Sequence, residues 1–79
     1  MKFNELNFKP HSIGIGERAV YEDDNLRVSI VIGDLFYSNG KDTYEIMALR
    51  GVENITENPI GYLTKEEVEK QINEWIENE

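Results

Sequence analysis

Apolar residues recur with a helical period near the end of the chain and with a period of two in its middle, and these patterns predict its main elements. In "YLTKEEVEKQINEWIENE", Val68, Ile72, Trp75 and Ile76 fall within one arc of about a third of the circle, while Glu66, Lys70, Asn73 and Glu77 point the other way. This is a helix with one packed and one wetted face. Thr64 and Glu67 form a T-x-x-E capping box, and Leu63 and Val68 have the spacing of a hydrophobic staple, so the helix is expected over 64–77.

In "LRVSIVIGDLFY", Leu26, Val28, Ile30 and Ile32 alternate with Arg27, Ser29, Val31 and Gly33, which predicts a strand buried on its even face. Asn39-Gly40, the pair suited to the two positive-φ positions of a type I′ turn, joins it to "DTYEIMALR". The alternation breaks at Gly33-Asp34. A β-bulge there returns Leu35 and Tyr37 to the buried face beside Tyr44 and Ile46; without it, Met47 and Leu49 oppose Ile32 and Ile30. The bulged pairing is the one expected. Upstream, "AVYEDDNLRV" reads as a second hairpin turning at Glu22-Asp23-Asp24-Asn25, where short polar side chains bond locally to the backbone, after a strand from about Ile13 to Tyr21. "GVENITENPIGY", with Gly51, Pro59 and Gly61, reads as a connecting loop.

The expected fold is therefore α+β: a three- to four-stranded antiparallel β-meander with one C-terminal α-helix packed on one face. One domain spans 1–79, comprising an N-terminal segment (1–12), the meander (13–50), a loop (51–63) and the helix (64–77). Leu26, Val28, Ile30, Ile32, Tyr44, Ile46, Val68, Ile72 and Trp75 should form the core. With one helix for one sheet face, some of Val31, Phe36, Met47 and Leu49 are expected on the opposite face. There they form a partner or dimer surface, or are covered by the N-terminal segment through Phe3, Leu6 and Phe8.

Composition narrows the function classes. The 79 residues include no cysteine and one histidine, His11, which leaves no thiolate or histidine metal cluster, no disulfide and no thiol nucleophile. No apolar run approaches the ~20 residues of a membrane helix, and "MKFNELNFKPH" lacks a secretory h-region, so a cytoplasmic protein is expected. Sixteen acidic residues against eight basic give a net charge of −8, which disfavours direct binding to nucleic acid or an anionic membrane. Residues 1–39 carry six acids and four bases and residues 40–79 carry ten and four, so the acidity is concentrated late in the chain.

The candidate chemical motifs have plainer structural readings. Gly14, Gly16 and Ala19 give G-x-G-x-x-A, but no buried strand precedes them and no long helix follows, as a dinucleotide fingerprint requires. Side-chain-free positions that permit strong twist or the close approach of another backbone explain them better. His11 reads as an exposed loop residue, without the orienting acid of a catalytic base. Glu22, Asp23 and Asp24 lack the spacing of a calcium loop and read as a solvated turn. Asn54-Ile55-Thr56 matches a glycosylation acceptor by chance. No catalytic residue, cofactor site or metal site is expected.

The size, the acidity, the Lys/Glu/Asn/Ile-rich usage and the ending "GYLTKEEVEKQINEWIENE" resemble the small acidic proteins of unknown function carried by phages and prophages of low-GC Gram-positive bacteria. The resemblance implies a non-enzymatic accessory role, such as the inhibition of a nucleic-acid-binding host protein, and assigns no residue a role. The expected function is a protein-binding module that presents a negative surface to a basic partner through Glu66, Glu69, Glu74, Glu77, Asp23 and Asp24. Two alternatives stay open: a structural protein that self-associates through the exposed sheet face, and an enzyme whose site is shared between subunits. Either a monomer or a homodimer is compatible with the sequence.

Overall fold

A computed structural model describes residues 1–10, 16–33, 38 and 42–78. In chain order these form a 3-10 turn (Phe3–Glu5), β1 (Lys9–Pro10), β2 (Glu17–Glu22), β3 (Leu26–Ile32), β4 (Tyr44–Arg50), β5 (Glu53–Asn54), β6 (Ile60–Leu63) and α1 (Lys65–Glu77). The strands make one antiparallel sheet, paired β1 to β5 in chain order, with β6 also paired to β4. No helix among the described residues is long and apolar enough to cross a membrane.

The expected α+β architecture is present, but the sheet has six strands among the described residues rather than three or four. The additional ones are short. β5 and β6 lie in the stretch read as a loop, and β1 lies in the N-terminal segment. None carries an alternating pattern of its own; each exists because a long neighbour supplies a row of backbone donors and acceptors. β6 is irregular as well. Tyr44 opposes Leu63 while Ile46 opposes Ile60, so Gly61 and Tyr62 together face Glu45, and Tyr62 takes a φ of 57°.

β2 runs over Glu17–Glu22; the expected start at Ile13 lies outside the described residues. The turn to β3 is built as expected from its polar residues: Asp23 Oδ1 accepts the N–H groups of Asn25 (3.0 Å) and Leu26 (2.8 Å). In the β3–β4 pair Ile30 opposes Ile46 and Val28 opposes Ala48. This overturns the pairing of Ile30 with Leu49 and also places Ile30, not Leu35 or Tyr37, beside Ile46. β3 stops at Ile32, and the Ser38 hydroxyl bonds both the N–H and the C=O of Gly33 at 3.0 Å. Asp34 of the expected bulge, Leu35 to Tyr37, the Asn39-Gly40 turn, and His11 to Ile15 lie outside the described residues.

α1 starts as predicted. The Thr64 hydroxyl accepts the Glu67 N–H at 3.2 Å, and Glu67 Oε1 accepts the Thr64 N–H at 3.0 Å. Val68 and Ile72 drop into the even face of β3 and β4, where Leu26, Val28, Ile30 and Ile46 are fully buried. Each such side chain contributes about 1.5 to 3 kcal/mol by leaving water. Ala48 and Tyr44 complete the cluster, while Ile32 and Trp75, expected at its centre, sit half-buried at its margin.

The N-terminal segment does fold back, but onto the face that the helix already covers. Phe3 and Phe8 pack on Tyr44, with ring centroids 5.1 and 5.6 Å away, and close the open side of the helix–sheet layer. The Phe3 N–H donates to Glu69 Oε1 at 2.6 Å, and Asn73 exchanges hydrogen bonds with the Met1 amino group and carbonyl. Asn73, expected on the wetted side of α1, is thus an anchor for this strap.

Gly16 has a φ of 73°, and a Cβ there would overlap the carbonyl oxygen of Ile32. The glycine permits the close backbone approach inferred from the sequence. Gly51, with a φ of 63°, has room for a side chain, Asn25 Oδ1 being 3.5 Å from its Cβ position.

Three outcomes follow from these contacts. Gly51→Ala should cost about 1 to 2 kcal/mol through backbone strain alone, whereas Gly16→Ala adds a backbone overlap and should cost about 3 kcal/mol or more; urea titration distinguishes them. Ile72→Ala should cost about 2 to 5 kcal/mol by the same measurement. The Thr64 N–H, and then its hydroxyl, hold the Glu67 carboxyl below the usual carboxylate range. Its folded pKa is therefore depressed, and the stability it contributes is present above its unfolded pKa and lost as pH falls through the folded one. Glu67→Gln should flatten the acid limb of the stability–pH curve.

Candidate functional site

The six acidic residues predicted to meet a partner divide into separate groups in space and in role. Asp23 is taken up by its own turn: Oδ1 caps two backbone N–H groups and Oδ2 accepts the Tyr21 hydroxyl at 3.1 Å. Glu69 is half-buried and holds the N-terminal strap, so it belongs to the fold rather than to a free surface. Glu66 is exposed at the start of α1, where it borders a shallow depression with Lys2 and Lys65. Asp24, Glu74 and Glu77 are exposed; Arg27 borders the same depression as Asp24, and Lys70 stands one helical turn before Glu74.

The elements that carry those three meet at one end of the molecule through Arg50. This residue ends β4, opposite Leu26 on one side and Glu53 on the other. Its guanidinium donates to the carbonyls of Trp75 (2.6 Å) and Asn78 (3.3 Å), closing the end of α1, which has no basic residue in its last turn. The next residue, Gly51, donates its N–H to the carbonyl of Asn25 at 2.8 Å. The last turn of α1, the β2–β3 turn and β5 therefore share one end, and Asp24, Glu53, Glu74 and Glu77 are all exposed there. Arg50 is committed to helix carbonyls, so it stabilises the fold without neutralising a particular carboxylate.

Glu53 and Arg50 escaped the sequence reading. Glu53 lies in a two-residue strand with no pattern of its own. The unmet carbonyls at the end of α1 show that a donor is needed, but not that it comes from β4.

The sheet face away from α1 is a second candidate surface. Strand register places its residues in three rows. Across the strands, one outer row runs Lys9, Arg18, Val31, Glu45. The middle row is Val20, Ser29, Met47. The other outer row is Glu22, Arg27, Leu49, Asn54. Val31 is buried, but Val20, Met47 and Leu49 remain 41%, 42% and 37% exposed. Met47 and Leu49 border a shallow depression of about 400 Å³ with Arg18, Arg27 and Ser29 on its other sides. Arg18 Nε donates to Ser29 Oγ at 3.0 Å, and Arg27 stands 3.7 Å from Glu22 in an exposed ion pair. Val31, Met47 and Leu49 thus lie where the sequence put them, while Phe36 is outside the described residues.

Among the described residues no group of three or more metal-ligating side chains converges. The glycosylation-like triplet has a structural use for its threonine: Thr56 is buried and its hydroxyl accepts the Ala48 N–H at 3.2 Å. No family model, curated protein or solved structure matches the chain.

Arg50→Met keeps the aliphatic stem and removes the donors to Trp75 and Asn78. Loss of charged hydrogen bonds at a helix end should destabilise the protein by about 2 kcal/mol in urea titration. Amide exchange should accelerate in the last turn of α1.

Proposed function

We propose that this protein is a non-enzymatic binding module that works in the cytoplasm by presenting its acidic end to a basic surface on another protein. The observation that carries the reading is the gathering of Asp24, Glu53, Glu74 and Glu77 from three separate segments. Two of them also stand where local energetics disfavour them. Glu74 and Glu77 occupy the last turns of α1, the negative end of the helix dipole, where a carboxylate is repelled rather than held. A fold selected for stability alone would place lysine or arginine there, and features that cost stability without a structural return concentrate where function requires them.

A net charge of −8 gives this end a long-range role in encounter, since complementary fields raise association rates and lose reach beyond ~8 Å at physiological salt. An array of exposed carboxylates of this kind suits a partner surface that also accepts phosphates, as the resemblance to accessory phage proteins implies. The surface is narrower than the sequence reading had it: Asp23 and Glu69 drop out, Glu66 is at the far end of α1, and Glu53 enters.

The quadruple variant Asp24→Asn, Glu53→Gln, Glu74→Gln, Glu77→Gln tests the reading. It should fold and gain a few tenths of a kcal/mol from relief at the helix end. Proteins captured from source-cell lysate by the wild type should bind the variant more slowly and with a flatter salt dependence, and nucleic acid should compete for them. Equal association rates across salt concentrations would refute it.

A further inference from the structure

The face opposite α1 carries exposed Val20 and Met47 in a middle row between two rows that hold charges, with exposed Leu49 in one of the outer rows, and a two-fold axis can pair its charges with their opposites. We propose that this face pairs with a second copy of the same chain, about a two-fold axis lying along the middle row, Val20–Ser29–Met47. In that arrangement each strand faces its own counterpart and the outer rows exchange. Arg18 comes opposite Glu22 of the second copy, and Glu22 opposite Arg18 of the second copy, so symmetry makes each contact twice. Met47 meets Met47, Val20 meets Val20, the stem of Arg27 lies over Val31 of the second copy, and Leu49 comes against the stem of Glu45, whose carboxylate stays at the rim.

Charge selects this axis over the other simple choice. A two-fold axis along β3 would also pair Arg18 with Glu45 twice, but it would set Arg27 against Arg27 and bring the two acidic ends side by side. The axis along the middle row sends those ends to opposite poles of the dimer, which limits the repulsion between two chains of charge −8. Area sets the strength. Three rows across β2 to β4 cover roughly 20 by 15 Å from strand spacings, below the ~800 Å² per partner of a stable complex. The dimer is therefore weak and forms at high local concentration. The outer row of this face adjoins the acidic end, Glu22, Arg27 and Leu49 bordering one depression with Asp24, but it contains none of Asp24, Glu53, Glu74 and Glu77, so either proposal can fail without the other.

Sedimentation equilibrium of the full chain, from about 10 μM to 1 mM in ~0.15 M salt, reads the association at ionic strength that screens the bulk charge. The wild type should shift from monomer to dimer over this range. Met47→Asp, at an exposed position, should keep the fold, checked by circular dichroism, and weaken the dimer at least about tenfold. Arg18→Glu alone and Glu22→Lys alone each create like-charge contacts twice and should weaken it by a similar factor. An equimolar mixture of these two variants restores both opposite-charge contacts in a heterodimer and should recover association to about the wild-type level. A wild type that stays monomeric to ~1 mM overturns the proposal and leaves the face to a different protein. So does a dimer indifferent to Met47→Asp, or a mixture that remains monomeric.

Discussion

A single helix can cover only one face of a sheet, and nearly every feature of this protein follows from how the chain meets that constraint. Among the described residues the covered face takes all the fully buried large side chains: Leu26, Val28, Ile30 and Ile46 from the sheet, and Val68 and Ile72 from the helix. With so small a core, its margins matter, and the chain closes them with what remains. The N-terminal strap adds Phe3 and Phe8 around Tyr44, while β6 supplies Ile60 and Leu63 beside β4. Burial raises the pKa of the Tyr44 hydroxyl, with Glu17 and Asp42 adding to the effect, so its ring is held neutral under the strap. The opposite face receives no layer among the described residues, and Val20, Met47 and Leu49 are exposed there.

The second organising contact is Arg50. One guanidinium bonds the end of the helix to the end of the sheet and places the last turn of α1 beside the β2–β3 turn. It also supplies the positive charge that the end of the helix lacks in its own sequence. The helix end is thereby held in place although Glu74 and Glu77 still stand unfavourably at the negative end of its dipole. The stability of the acidic end and its charge therefore have different sources: the former comes from β4, the latter from α1, β5 and the turn.

Much of this was legible where the local chemistry is self-sufficient. The capping box of Thr64 and Glu67, the Asp23 turn and the even-face alternation of Leu26, Val28 and Ile30 each specify structure over a few residues, and each is found as read. Gly16 was legible too, because only a missing side chain permits its approach to Ile32. What could not be read depends on a distant partner. β5 and β6 exist through pairing with β4, the strap through Tyr44 and Asn73, and Arg50 through carbonyls twenty-five and more residues away in the chain. The acidic site failed in the same way: helical spacing grouped Glu66 and Glu69 with Glu74 and Glu77, whereas the strap captured Glu69 and the sheet delivered Glu53.

The two candidate surfaces obey different physics, although they adjoin where Glu22, Arg27 and Leu49 border one depression with Asp24. Attraction between the acidic end and a basic partner decays as salt screens it, whereas contact between two sheet faces must overcome repulsion between two chains of like charge and gains from the same screening. Pairing about the middle row would also change what the acidic ends can do. It would set two of them at opposite poles of one particle, so that a partner with two basic patches, or two partners held close together, would be engaged twice. The second engagement would then be intramolecular, and a weak dimer and a weak acidic contact would reinforce each other. Since the sheet face contains none of Asp24, Glu53, Glu74 and Glu77, that coupling would come from geometry alone.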